Sequence, residues 1–186
     1  WIDDVDNPRD HHRHIAHLYA MYPGNMISYS QTPALALAVK KSLEMRGKGK
    51  FGERWPHTGG NWSMAWRTAL WTRLYEGDQA IGTFNQMIKE SGYENMMSNQ
   101  SGNMQVDATM ATSGLQSQEG FIHLLPALPT EWPEGKIEGL MARNGYRVNM
   151  EWKYGKLMKA EIILPHKADK PMVKVQSSYL PESDNR

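Results

Sequence analysis

The chain reads as an α+β fragment of more than one domain, helices first and antiparallel strands second. Three observations predict this. Three helical runs with cap and stop residues fall between residues 32 and 90, an apolar–polar alternation occupies residues 136–164, and prolines punctuate the change of character over Pro126–Pro133. Runs of helices followed by runs of strands indicate segregated layers or separate units. The expected division is therefore 1–125 and 126–186.

Taken in order, residues 1–31 are irregular and rich in His, Asp and Asn, and end near the turn signal Tyr22-Pro23-Gly24-Asn25. Thr32 is an N-cap residue and Pro33 suits the first helical position, so a helix is predicted through Met45 with Gly47 as its stop. Leu35, Val39 and Leu43 share one face of it. The Gly-rich stretch 47–60, which includes Pro56, predicts a loop. A second helix is predicted from Trp62 to Tyr75, closed by Gly77, and a third from Gln79 to Glu90, capped by Asp78 and ended by Gly92. So short a connection makes these two antiparallel neighbours. Trp62, Ala65, Trp66, Ala69 and Leu70 spread apolar surface around much of the second helix, which places it between other layers. The missing layers are expected upstream.

Residues 92–120 are polar apart from an apolar island at Met104–Met110. Beyond Gly120 the pattern turns to β. Phe121–Leu125 predicts a short strand, and Val148, Met150 and Trp152 alternate onto one face before the Tyr154-Gly155 turn, with Leu157-Met158 resuming after it. The tail after Pro165 is expected to end on a last strand, Met172–Gln176.

Composition narrows the function classes. The 186 residues are 40% hydrophobic and 22% charged, with a formal net charge of +1. No basic stripe points to nucleic acid, and no apolar run is long enough for membrane insertion. Seven Trp and eight Tyr against three Phe favour rings with a polar handle, which suit surfaces that stack on a ligand and still meet water. Cysteine is absent, which removes disulfides, thiol catalysis and cysteine–zinc sites and leaves the compartment open, a secreted or periplasmic bacterial location being the expectation. The chain opens on Trp1-Ile2-Asp3-Asp4, without initiator Met or signal peptide, and reads as starting inside a longer protein.

The densest polar feature is His11-His12-Arg13-His14-Ile15-Ala16-His17. Zinc needs three or four convergent ligands. No second cluster at ligand spacing follows and HExxH is absent, so neither a metal nor another cofactor is expected. Arg13 and His14 are suited to donating hydrogen bonds to an oxygen-rich ligand. No GxSxG elbow, GxGxxG fingerprint or phosphate loop occurs. Among the carboxylates Asp107 stands apart, within Met104-Gln105-Val106-Asp107-Ala108-Thr109-Met110, with no other charge near it in sequence. Such a carboxylate is either hydrogen-bonded structure or a tuned general base, and its flanks alone favour the former.

Four segments in order then carry a resemblance. His12-Arg13-His14-Ile15-Ala16-His17-Leu18-Tyr19 with Tyr22-Pro23-Gly24-Asn25, then Trp62-Ser63-Met64-Ala65-Trp66, then Gln105-Val106-Asp107, and finally Leu115-Gln116-Ser117 with His123-Leu124-Leu125-Pro126-Ala127-Leu128-Pro129 resemble the motifs of glycoside hydrolase family 95, the inverting α-L-fucosidases and related α-L-glycosidases. The resemblance implies part of an (α/α)6 barrel followed by a small antiparallel β domain. It implies that Asp107 is the general base, and that Arg13 and His14 hydrogen-bond the sugar. Trp62 is a further substrate-binding candidate, with core packing an equal reading.

In that chemistry an acid protonates the leaving oxygen while the base activates water on the opposite face, the two carboxyls standing about 6.5–9.5 Å apart. The resemblance places the acid, and the asparagines that assist the base, upstream of the His12-Arg13-His14 segment. The expected partners are thus an oligosaccharide and the upstream portion of the same catalytic domain, and this fragment alone is expected to be inactive. Two departures stand out. The family's DGNFG is Asp107-Ala108-Thr109-Met110-Ala111 here, which removes a Gly and an amide beside the base and opens the subsite to another α-L-sugar such as L-galactose. The helix expected next is shortened between Gly114 and Leu115, either by a deletion or by residues missing from the sequence. The alternative from another class is a non-catalytic carbohydrate-binding or structural remnant.

Overall fold

The computed structural model describes residues 14–47, 61–91, 94, 98–100, 103–105, 114–165 and 174–177. Among these described residues, a 3-10 turn, Ala16–Leu18, precedes three helices: α1 (Pro33–Gly47), α2 (Asn61–Arg73) and α3 (Gly77–Ser91). Eight strands follow: β1 (Ser98–Gln100), β2 (Asn103–Gln105), β3 (Leu115–Gln116), β4 (Ile122–Leu124), β5 (Gly135–Met141), β6 (Arg147–Lys153), β7 (Lys156–Ile163) and β8 (Val175–Ser177). The order is helices first and a small antiparallel sheet region after them.

The first core gathers Ile15, Leu18 and Met21 from the irregular entry, Ala36, Val39 and Leu43 from α1, Leu70 and Trp71 from α2, and Leu74 and Ala80 beyond it. In α1 the inward stripe starts at Ala36, not Leu35, which is half exposed together with Leu37. Thr32 accepts the first helical bond through its carbonyl, from the amide of Ala36. Its hydroxyl is turned back, donating to the Ser28 carbonyl and accepting from the Ser28 amide.

The α2–α3 junction differs from expectation in an instructive way. Gly77 opens α3; the residue that ends α2 is Tyr75, left-handed at φ 62°. The Glu76 amide donates to the Trp71 carbonyl and the Tyr75 amide to that of Thr72, the paired bonds of a Schellman motif. Tyr75 occupies a glycine's position because its ring is held between Tyr29 and His123. Gly77 is needed for another reason: a Cβ there would lie 2.6 Å from the Ala127 carbonyl oxygen and 2.7 Å from Leu128. Asp78 sits in the first turn of α3, where a carboxylate suits the helix dipole. Its Oδ1 accepts hydrogen bonds from the amide and hydroxyl of Thr130.

The second core is β. Strands β5, β6 and β7 form an antiparallel meander, with Val148, Met150 and Trp152 buried as the alternation predicts. The two-residue turn Tyr154-Gly155 has both residues at positive φ, 54° and 69°, as primed hairpin turns require. Gly135 faces Trp152 in the register, and a Cβ on it would meet the indole at 2.3 Å. The Trp152 Nε1 donates to the Trp132 carbonyl at 2.9 Å. Leu115, Ile122, Leu124, Leu125 and Leu128 pack into this same cluster. Their strands form a separate sheet, β3 antiparallel to β4 and β8 parallel to β4 on its other edge. The hairpin β1–β2 lies in the stretch read as polar and reaches the start of its apolar island at Met104; its Ser, Asn and Gln carry no strand signal.

Candidate active site

Of the four predicted site residues, His14 and Trp62 lie among the described residues; Arg13 and Asp107 lie outside them. His14 is exposed and stands next to Ile15, which is wholly buried. That contrast follows from the local sequence: Ile15, Leu18 and Met21 anchor the turn in the first core and leave the preceding imidazole at the surface. His17, on the same turn, is tied to α1 through Nε2 and Ser42 Oγ at 2.8 Å.

The Tyr22-Pro23-Gly24 turn is then fixed to α2. Trp66 Nε1 donates to the Tyr22 carbonyl at 2.7 Å, and the Arg73 guanidinium lies over the Tyr22 ring at 5.4 Å. A Cβ on Gly24 would fall 2.7 Å from the Tyr19 carbonyl, so the turn closes only around glycine. The first two motifs are thereby brought together, Tyr22 and Trp66 lying 44 residues apart in sequence. Trp62 occupies the first turn of α2, 51% exposed, with its ring 5.3 Å from that of Trp66. A half-open indole beside a second one can stack on the apolar face of a sugar while water wets its edge.

The last motif has a joining role. Gln116 Nε2 donates to the Thr72 carbonyl at 2.7 Å, which links β3 to the end of α2. Ser117 Oγ accepts from the Arg143 amide at 3.0 Å. His123 is buried, edge-on to Tyr75 with ring centroids 4.9 Å apart. Burial holds its pKa below the usual imidazole value, with the Glu119 carboxylate acting in the opposite sense. Burial likewise pushes the Tyr75 hydroxyl up to about 12. Glu119 itself accepts from the Ser30 hydroxyl, so the entry segment, α2 and β4 converge on one polar seam. A cleft of about 300 Å³ nearby is lined by Phe121, Arg143, Asn144, Tyr146 and Lys174 among others, and neither His14 nor Trp62 is among its described lining residues.

Two charged residues escaped the sequence reading: Arg46 in the last turn of α1 and Arg67 in the middle of α2, 4% and 7% exposed. The signal was present. Arg46 continues the stripe Ala36, Val39, Leu43 at helical spacing, and Arg67 falls between Met64 and Leu70. Among the described residues no group of three His, Cys, Asp or Glu side chains could hold a metal ion, and no helix is long and apolar enough to cross a membrane.

Comparison with known proteins adds the family. Residues 1–117 match the glycosyl hydrolase family 95 catalytic domain, and residues 116–185 match the glycoside hydrolase family 95 C-terminal domain. The chain is 33% identical over 175 residues to alpha-L-fucosidase 2 of Arabidopsis thaliana, which covers 85% of this chain and 20% of that protein. It is 30% identical over 173 residues to the probable alpha-fucosidase A of Aspergillus niger, covering 82% of this chain and 21% of that protein. For the probable alpha-fucosidase A of Aspergillus oryzae the figures are 29% over 175 residues, 80% and 23%. The chain thus spans about a fifth of the length of the curated relatives it matches. With one family's catalytic and C-terminal domains matched in succession, and the four motifs in the order that the sequence presented them, the chain belongs to glycosyl hydrolase family 95.

Proposed function

We propose that this chain is the C-terminal part of the catalytic (α/α)6 barrel and the β domain of an inverting glycoside hydrolase that releases terminal α-L-fucose, or a related α-L-sugar, from oligosaccharides. The observation that carries this reading is the match to the family's catalytic domain together with relatives named as fucosidases. The barrel part spans 1–125 and the β domain 126–186, with Leu115–Leu125 as a shared layer: its leucines pack with the strands while Gln116 holds α2.

In this reading Asp107 is the base that draws a proton from water, and a glutamic acid from upstream sequence protonates the leaving oxygen. Arg13 and His14 donate to the sugar hydroxyls, and Trp62 offers a stacking face. The exposure of His14 and Trp62 suits groups that meet a ligand. Ala108 and Thr109 after the base make L-galactose a candidate beside fucose. Activity then requires the longer protein that supplies the acid.

The test is hydrolysis of aryl α-L-fucoside and α-L-galactoside by that longer protein, with the product anomer followed by NMR. Wild type should release the inverted sugar, and Asp107→Asn should lower kcat by about 10²–10⁴-fold, the contribution usual for a general base. An unreactive wild type sinks the hydrolase reading and leaves a carbohydrate-binding or structural remnant. An Asn variant as fast as wild type sinks the assignment of the base.

A further inference from the structure

We infer that the buried guanidinium of Arg67 is a receptor for a carboxylate side chain, an Asp or Glu delivered by the upstream part of the catalytic domain. The inference rests on the barrel reading above, since it needs further helices packed on α1 and α2.

The observations are these. Arg67 lies in the middle of α2, between Met64 and Leu70, and is 7% exposed. Its Nη1 is buried and meets no acceptor. The charge that bears on it is Arg46, a second buried cation, and no carboxylate among the described residues acts on it. Burial and this repulsion together lower the Arg67 pKa to about 10. That value still leaves the side chain charged at neutral pH. A lysine or histidine so placed could shed its proton, whereas arginine keeps the charge and has five donors to satisfy.

Physical chemistry restricts what can answer it. A charge taken from water into an apolar interior is tolerated when it is paired and hydrogen-bonded. The carbonyls around it on α2 are committed to the helix's own ladder. A planar guanidinium fork matches a carboxylate with two parallel bonds, which a chloride or a backbone carbonyl cannot form. Arg46 beside it adds positive potential, which favours an anion at this position. The relatives are about five times longer than this chain, and they have the sequence from which such a side chain can come.

The test uses the longer protein and reads stability and structure, not hydrolysis. In its crystal structure a carboxylate oxygen should lie about 2.7–2.9 Å from Arg67 Nη1. A water, a bound inorganic ion or a backbone carbonyl in that place overturns the proposal. Arg67→Met should lower the unfolding midpoint by a few degrees at pH 7, because it leaves a carboxylate buried without its cation. The deficit should grow as pH rises from 4 to 7, since the stranded carboxyl has a folded pKa above its unfolded one and is harder to bury once ionised. Arg67→Lys should retain most of the midpoint. If Arg67→Met is as stable as wild type or more so at every pH, Arg67 had no partner to strand. A protein that cleaves no fucoside can still show this pairing, and an active one can lack it, so the two readings fail separately.

Discussion

Tyr75 and His123 show how much a single residue can carry at the seam. A tyrosine in the left-handed region costs about 1–2 kcal/mol relative to its ordinary conformations, and φ 62° is kept because the ring is packed on Tyr29 and His123. Gly77 looked like the obvious stop for α2, yet ring packing between segments far apart in sequence overrode the local preference. His123 gives a pH prediction. Its folded pKa lies below the unfolded value of about 6.5, so below that pH the unfolded chain takes up the proton first. Its contribution to stability is complete above about pH 6.5 and is lost as pH falls towards the folded pKa. Thermal unfolding of the longer protein from pH 7.5 to 5 should show wild type losing midpoint faster than His123→Gln. Parallel curves would mean that the buried imidazole is not the group responsible.

Elements were legible where one periodicity sets one buried face. The β5–β7 meander follows from its alternation, and its turn from Tyr154-Gly155; the structure adds that Gly135 is the slot in which the Trp152 indole lies. Gly135→Ala should destabilise the β domain by about 1–3 kcal/mol through overpacking, seen as a lower urea midpoint with near-UV ellipticity of the tryptophans altered. An unchanged midpoint would show that the indole can move aside at no cost. The β1–β2 hairpin was not legible, because backbone pairing holds it and its residues carry no apolar pattern. In α1 the helix was plain but its inward face was not. Ala36 and Leu35 compete for the same stripe, and the position of the rest of the core decides for the smaller residue.

At the scale of the whole molecule, the helices and the strands are joined by specific contacts: Gly77 against Ala127 and Leu128, Gln116 to Thr72, Asp78 to Thr130. Asp78→Ala removes two charge-assisted bonds at an exposed site and should cost about 1–2 kcal/mol, with faster amide exchange confined to residues near Thr130 as the local sign. Exchange unchanged there would show that Gly77 and Gln116 hold the junction without it. The helix-then-strand order was legible from composition and punctuation. The family was legible only through four motifs in succession, because Asp107 on its apolar flanks alone reads rather as structure. The contacts that join the parts were not legible, since each pairs residues whose neighbours in sequence give no sign of the other. One of these long-range pairings has a consequence for biosynthesis. Strand β8 completes β4 as a parallel neighbour, with Ile122 opposite Val175. During translation that edge of β4 waits for on the order of fifty further residues, several seconds at ~5–20 residues per second, with its peptide groups unpaired. Residues made that long after β4 are therefore the ones that close its edge, and a ribosome that stops short of Val175 leaves an open strand edge, the kind that pairs with its own copies.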